Sequence, residues 1–255
     1  MTGSGDEIDR LAESLNRMLG RIEELMDKLR HVTSDIAHDH RTPLGRLRQR
    51  LEAARIKQRS PAAYEEVIDA SITDTDTLLR TFDAMLRIAE IEAGAARARF
   101  AAVDLSAIAE NVGEVFLPVA EDHGQRLMAE VAPGVGVHGD RELITQMLVN
   151  LIENSLHHAP QGTLVPIGLE KQGDFPILVV ADSGQGIPIE ERERVLRRFY
   201  RLDGSRSSPG SGLGLSLVAA IAKLHGAELT LDDNNPGLRV SVRFRKDPYL
   251  QSISH

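Results

Sequence analysis

The run Ser34-Asp35-Ile36-Ala37-His38-Asp39-His40-Arg41-Thr42-Pro43-Leu44-Gly45-Arg46 gathers reactive side chains on one short stretch of amphipathic helix. On a helix His38 and Thr42 are four residues apart and share a face, with Asp39 alongside. His38 lies two positions from the apolar Ile36, about 200° round the axis, so its imidazole is expected to point to solvent. A neutral imidazole is a competent nucleophile near neutral pH, and an adjacent carboxylate can orient it and accept its proton. Pro43 cannot donate a backbone hydrogen bond to the Asp39 carbonyl, so a bend is expected just beyond the histidine. His38 and His40 resemble a metal-ligating pair, but they project to nearly opposite sides of a helix and cannot chelate one ion.

A second set of polar residues lies downstream. Asn150, Glu153, Asn154, His157 and His158 form one continuous face of a helix expected over 140–158, while Ile144, Met147, Leu148, Leu151 and Ile152 hold that helix to a core. Polar helix faces are usually only solvated, but this one lacks the lysines and arginines expected of such a face. Asparagine oxygens suit Mg²⁺, which usually meets protein through one or two ligands plus phosphates and water. Asp182-Ser183-Gly184-Gln185-Gly186-Ile187-Pro188 follows a buried-type strand; its glycines permit a sharp turn and close backbone approach, although Asp-x-Gly-x-Gly also makes ordinary turns. From Arg201 to Leu215 a glycine- and serine-rich stretch containing Arg206, Gly210, Gly212, Leu213 and Gly214 leads into a helix. It would serve as a phosphate cradle or, equally well, as a mobile linker.

The elements that must position these groups follow from periodicity. Ile8, Leu11, Leu15, Met18, Ile22, Leu25, Leu29, Val32 and Ile36 recur in alternating steps of three and four, the seam of a coiled coil. One helix cannot bury that seam, so a homodimer is the simplest inference. Beyond Ile36 the inward positions become His40, Pro43 or Leu44, Leu47 and Leu51, a stutter that locally unwinds a left-handed coil. Lys57-Gln58-Arg59-Ser60-Pro61 breaks the helix, and Ser60 with Pro61 supplies an N-cap and first position for a second helix. That helix carries Val67, Ile68, Ile72, Leu78, Leu79, Phe82, Met85, Leu86, Ile88 and Ile91 at helical spacing and ends near Gly94. Two such hairpins would make a four-helix bundle. From about Phe100 helices near 104–123, 140–158, 190–199 and 212–225 alternate with strand-like runs at 177–180, 228–231 and 239–244, predicting an α/β sandwich.

Bulk properties narrow the function. The 255 residues carry a formal charge of −8, which disfavours nucleic acid as a partner, and no cysteine, which excludes disulfides and thiolate metal sites. No apolar run is long enough to span a bilayer. Met1-Thr2-Gly3-Ser4-Gly5 reads as an artificial beginning, so an upstream membrane segment is expected to be missing.

His38-Asp39-His40-Arg41-Thr42-Pro43-Leu44 resembles the H-box of sensor histidine kinases, His-Glu/Asp-apolar-Arg-Thr-Pro-Leu, at every position but one. The downstream stretches resemble, in order and spacing, the N, G1 and G2 boxes of the GHKL ATPase fold, and Arg198-Phe199-Tyr200-Arg201 resembles the family's F box. Residues 6–19 are similar to the final helix of a HAMP module. The resemblance implies a helical hairpin forming a dimeric four-helix bundle, followed by a GHKL (Bergerat) α/β sandwich. It divides the chain into 1–30 as the end of a HAMP coiled coil, 31–96 as the dimerisation and phosphotransfer hairpin, 97–246 as the ATP-binding domain and 247–255 as a flexible tail.

It further implies that His38 is the phosphoacceptor, Asp39 its base, and Thr42 the residue that positions water in a phosphatase reaction. Asn154 would bind Mg²⁺, Asn150 would support the phosphates, and Asp182 would read the adenine amino group. His157, His158, Gly184, Gly186 and Ile187 would line the nucleotide, and Arg201, Arg206, Gly210, Gly212, Leu213 and Gly214 would belong to the ATP lid. The implied partners are a second copy and a response-regulator receiver domain docked on helix 44–56 and its counterpart. The implied setting is the cytoplasmic side of a bacterial inner membrane. Three positions depart from the pattern: His40 stands where the family has an apolar residue, His157 where it has lysine or arginine, and Ser155 where it has alanine. Two other classes share some of these features: a GHKL ATPase that drives conformational change, and a phosphotransfer or phosphatase scaffold with an impaired ATP site.

Overall fold

The computed structural model describes residues 44–45, 47–56, 60–92, 95–202 and 212–245. The chain divides into two units between Ala89 and Glu90. The reactive segment with His38, Asp39, His40 and Thr42, the heptads before it, and the tail from 246 onward lie outside the described residues.

In the first unit a helix (α1, residues 47–56) is followed by α2 (Pro61–Glu92). Pro61 opens α2 as its spacing predicts, and Ser60 Oγ accepts the Ala63 N–H at 3.3 Å. Arg50 fastens the two helices together, donating from Nη1 to Asp74 Oδ2 at 2.5 Å and to the Ala70 carbonyl at 3.1 Å. Ala54, Met85 and Ile88 are buried, whereas Leu44, Leu51, Ile68, Ile72, Leu79, Phe82 and Leu86 are exposed. The exposed positions of α2 fall at helical spacing, leaving the hairpin with an apolar stripe on its outside.

The second unit opens with a 3₁₀ turn (Ala95–Arg99). A short antiparallel pair follows, β1 (Ala101–Asp104) with β3 (Gly136–Gly139). Among the described residues its main sheet has five strands in the order β2 (Arg126–Val131), β4 (Leu164–Gln172), β5 (Phe175–Ala181), β7 (Leu238–Arg243) and β6 (Glu228–Asp233). The β2–β4 pair is parallel and the other pairs are antiparallel. Three helices pack on the sheet and on one another: α3 (Leu105–Asp122), α4 (Arg141–His158) and α5 (Gly214–Leu224).

Register explains the sidedness of the sheet. Ile167 pairs with Val180, and Val180 with Val240; Leu169 pairs with Leu178, and Leu178 with Val242. All of these are buried, while the alternate positions Glu228, Asp232, Arg239 and Arg243 stay exposed. α4 sits centrally, with Leu143, Ile144, Met147, Leu148, Leu151, Ile152 and Leu156 buried, each such side chain contributing about 1.5–3 kcal/mol.

One expected element is different. The helix anticipated near 190–199 is a 3₁₀ turn, Ile189–Glu191, continued by irregular turns. Its glutamates and arginines favour helix, but Val195 alone of this stretch is buried, and Phe199 adopts φ 59°. One anchoring residue and a left-handed backbone at the end do not sustain an α-helix.

Candidate functional site

Both ends of α4 are held by side-chain hydrogen bonds, one local and one long-range. At its start Asp140 is buried and caps the helix, with Oδ1 accepting the N–H groups of Glu142 (3.0 Å) and Leu143 (3.2 Å). Its carboxyl lies below the usual range: burial opposes this, but the Arg99 guanidinium at 2.6 Å and the two backbone donors outweigh it. At the far end Gln125, buried in the turn before β2, donates Nε2 to the carbonyls of Leu156 (3.0 Å) and Ala159 (2.5 Å). Sequence reading did not single out Gln125, because its partners are 31 and 34 residues away. Replacing it with leucine should cost about 1–3 kcal/mol by stranding two carbonyls. Urea unfolding followed by circular dichroism would measure the loss.

Between these fixed ends α4 carries the anticipated polar face. Asn150 and Asn154 are half-buried one turn apart, and His157 and His158 are exposed near the end. Asn150 Nδ2 donates to the Gln146 carbonyl at 2.9 Å, and a Cβ on Gly214 would lie 4.0 Å from Asn150 Oδ1. The asparagine therefore faces the beginning of α5. The two imidazoles meet edge to face at 4.9 Å between centroids. The pKa of His158 is lowered, first by the parts of its ring shielded from water and then by His157 and Arg201, with Asp182 acting the other way.

The Asp182–Pro188 turn closes against the same helix end. Asp182 is buried at 2% exposure; its Oδ1 accepts the Gly184 N–H at 2.8 Å and the Leu238 N–H at 3.3 Å. Both donors use Oδ1, which leaves Oδ2 to meet a ligand. Gly184 passes so near α4 that a Cβ would stand 2.7 Å from the His158 carbonyl oxygen. Gly186 has φ +69°, and a Cβ there would stand 2.9 Å from the Gly237 carbonyl oxygen. Ile187 is buried just beyond. The β6–β7 hairpin backs this turn: Asn234 Nδ2 donates to the Asp182 carbonyl at 2.8 Å, and the Asp182 N–H donates to the Leu238 carbonyl at 2.9 Å. Asn234 and Gly237 were also missed in the sequence, where Asn234-Asn235-Pro236-Gly237 reads only as a turn.

The third stretch is described at its two ends. The Phe199 N–H donates to the Gly212 carbonyl at 3.1 Å, and Gly212 has φ +70° with the Arg201 side chain packed beside it. Leu213 is buried, and Gly214 begins α5. Tyr200 Oη donates to Glu191. Arg206 and Gly210 lie outside the described residues. Asn150, Asn154, His158, Asp182, Gly184 and Gly214 thus converge, on contacts between α4, the Asp182 turn and the start of α5.

Those residues offer a nucleotide a buried carboxylate, a glycine-bearing turn, a helix beginning at Gly214, and the Asn150 carboxamide facing that beginning. Among the described residues there is no group of three or more His, Cys, Asp or Glu able to hold a metal. The carboxamide oxygens of Asn150 and Asn154 are of the type that could meet a hard cation together with phosphates and water. Among the described residues no helix is long and apolar enough to cross a membrane.

Residues 139–248 match the family described as histidine kinase-, DNA gyrase B-, and HSP90-like ATPase. The chain is 35% identical over 237 residues to the sensor protein IrlS of Burkholderia pseudomallei, covering 92% of this chain and 50% of IrlS. It is 32% identical over 243 residues to the probable sensor protein PcoS of Escherichia coli, covering 94% of this chain and 52% of PcoS. The chain spans about half the length of these curated relatives. In fold it is similar to the histidine kinase ThkA, solved in complex with the response regulator protein TrrA, with TM-score 0.71 at 18% identity, covering 92% of this chain and 67% of that one.

Proposed function

Residues 139–248 belong to the histidine kinase-, DNA gyrase B- and HSP90-like ATPases and the chain is homologous to sensor histidine kinases; on that premise we propose that it is the cytoplasmic portion of a sensor kinase that phosphorylates itself on His38. ATP is the phosphoryl donor. The observation that most supports this is the convergence of the Asn150–His158 face, the Asp182 turn and the start of α5 on one crevice. Asp182 reads the adenine amino group, and the backbone at Gly184, Gly186, Gly212 and Gly214 admits the nucleotide closely. Asn154 would hold Mg²⁺, which would neutralise phosphate charge. Arg201 and Arg206 supply further positive charge, and Asn150, His157 and His158 line the phosphates.

The imidazole nitrogen of His38 attacks the γ-phosphorus, the bond to the bridging oxygen breaks, ADP leaves, and the imidazole proton passes to Asp39. The phosphoryl group then goes to an aspartate carboxylate of a receiver domain, and Thr42 positions water when the enzyme removes it again. The exposed stripe Ile68, Ile72, Leu79, Phe82 and Leu86 supports closure of a four-helix bundle by a second copy. The response regulator docks on helix 44–56 and its counterpart, where Leu44 and Leu51 are exposed.

Incubation with γ-labelled ATP and Mg²⁺ tests the assignment. The wild-type chain should acquire an acid-labile label, and His38→Gln should acquire none. Release of phosphate with no protein-bound label would support a conformational ATPase instead. Absence of both, with dephosphorylation of a partner retained, would support the scaffold.

A further inference from the structure

His225, the residue that ends α5, has no place in the mechanism above, yet it joins the end of α5 to the start of α4 and packs on residues beside β1, β3 and β7. The Asp140 N–H donates to His225 Nε2 at 3.0 Å, and His225 Nδ1 lies 2.8 Å from the Ile221 carbonyl. The first contact requires an unprotonated Nε2 and the second a proton on Nδ1, so the geometry specifies a single neutral tautomer. The ring stacks on Phe100 at 4.7 Å with 16° between planes and meets Phe244 edge-on at 6.5 Å. It fills the space left by Gly139, where a Cβ would stand 2.5 Å from His225 Cδ2.

These contacts lie at the end of the helix pair away from the crevice. Asp140 begins α4, and Gly214, at the other end of α5, faces Asn150 of α4. α4 and α5 therefore run antiparallel, clasped at one end by His225 and bearing site residues toward the other. We propose that His225 is a positioning residue: as a neutral imidazole it locks the end of α5 to the start of α4, and its protonation weakens nucleotide binding. The proposal rests on the ATP reading above. A proton on Nε2 would confront the Asp140 N–H with a second donor and strand a buried backbone group.

The charged groups around the ring act in both directions. Asp140 favours the imidazolium, but its carboxylate is already held by Arg99. His138 opposes the imidazolium, and Arg245 packs beside the adjoining Gly226. Burial is the largest influence and sets the pKa of His225 below the ordinary imidazole value. The unfolded chain, with an ordinary imidazole, takes the proton first. Stability contributed by the neutral ring is thus complete above about pH 6.5 and is lost as pH falls through the lower folded value.

The test uses the full chain as wild type, His225→Gln, which keeps an acceptor but cannot become a cation, and His225→Phe, which keeps the stack but not the acceptor. Mg·ATP binding is measured calorimetrically at about pH 7.5 and about pH 5.5, either side of the imidazole range. Wild type should lose about three- to tenfold more affinity on acidification than His225→Gln, a fraction to one pKa unit. His225→Phe should bind weakly at both values. Equal acid losses in wild type and His225→Gln, or wild-type affinity in His225→Phe, would overturn the clasp. His158 titrates too, but it is unchanged in all three proteins and cancels in the comparison. If wild type binds no nucleotide at pH 7.5, the ATP reading fails, and thermal midpoints against pH judge the clasp alone. A shallower acid fall in His225→Gln then supports it and parallel curves reject it. Should the variants not fold, the imidazole ¹⁵N shifts of wild-type His225 decide: an Nε2–H tautomer or an ordinary pKa refutes the clasp.

Discussion

Asp182→Ala should abolish measurable ATP binding, a loss of about a hundredfold or more, and should destabilise the nucleotide-binding unit by about 2–4 kcal/mol. Two effects combine. The substitution removes the carboxylate assigned to the adenine, and it leaves the Gly184 and Leu238 N–H groups without the acceptor that pairs them at 2.8 and 3.3 Å. Each stranded donor costs about 1–3 kcal/mol, the longer bond falling at the low end. Asp182→Asn separates the effects. Its amide oxygen can still accept both N–H groups, so stability should be largely kept, while the charge and the second carboxylate oxygen are gone. Calorimetric titration with Mg·ATP alongside urea unfolding would measure both quantities. Wild-type affinity in Asp182→Asn would remove that residue from adenine recognition.

Gly237→Ala should be as damaging to folding as the most severe large-to-small changes in the core, at about 4 kcal/mol or more. Gly237 has φ +112°, and a Cβ there would stand 1.9 Å from the Asp182 carbonyl oxygen and 2.8 Å from Ser183 Cα. Both obstacles are backbone, which cannot rotate aside as a side chain can. Relief would require separating the β6–β7 hairpin from the Asp182 turn, and with it breaking the Asn234 and Leu238 hydrogen bonds. Gly134→Ala is a useful control: its φ is +67° but nothing lies within 4 Å of a new Cβ, so only backbone strain of about 1–2 kcal/mol is expected. Similar urea midpoints for the two variants would show that the hairpin does not bear on the turn.

What could be read in advance depended on how local each signal was. α4 was legible because Ile144, Met147, Leu148, Leu151 and Ile152 fall at helical spacing, and all are buried. The start of α2 was legible from adjacent residues, Ser60 and Pro61. β1 and β3, four residues each, were too short to announce themselves, and β2 lies at the sheet edge with only Leu127 fully buried. The turn at 189–199 misled because helix-forming side chains there have little to pack against. Asp182, Gly184 and Gly186 stood out by type and order, but their supports did not: Gln125 reaches 34 residues and His225 reaches 85 to find their partners. Such long-range hydrogen bonds leave no periodic trace in a sequence.

The Phe199–Gly212 hydrogen bond has a further consequence for how this family can vary. It pins together the two ends of whatever chain joins them. Ring closure beyond that clasp costs only about 0.6 kcal/mol per doubling of length. Residues inserted or deleted between 203 and 211 should therefore cost little folding stability, which opens this stretch to changes in length and to engineered grafts.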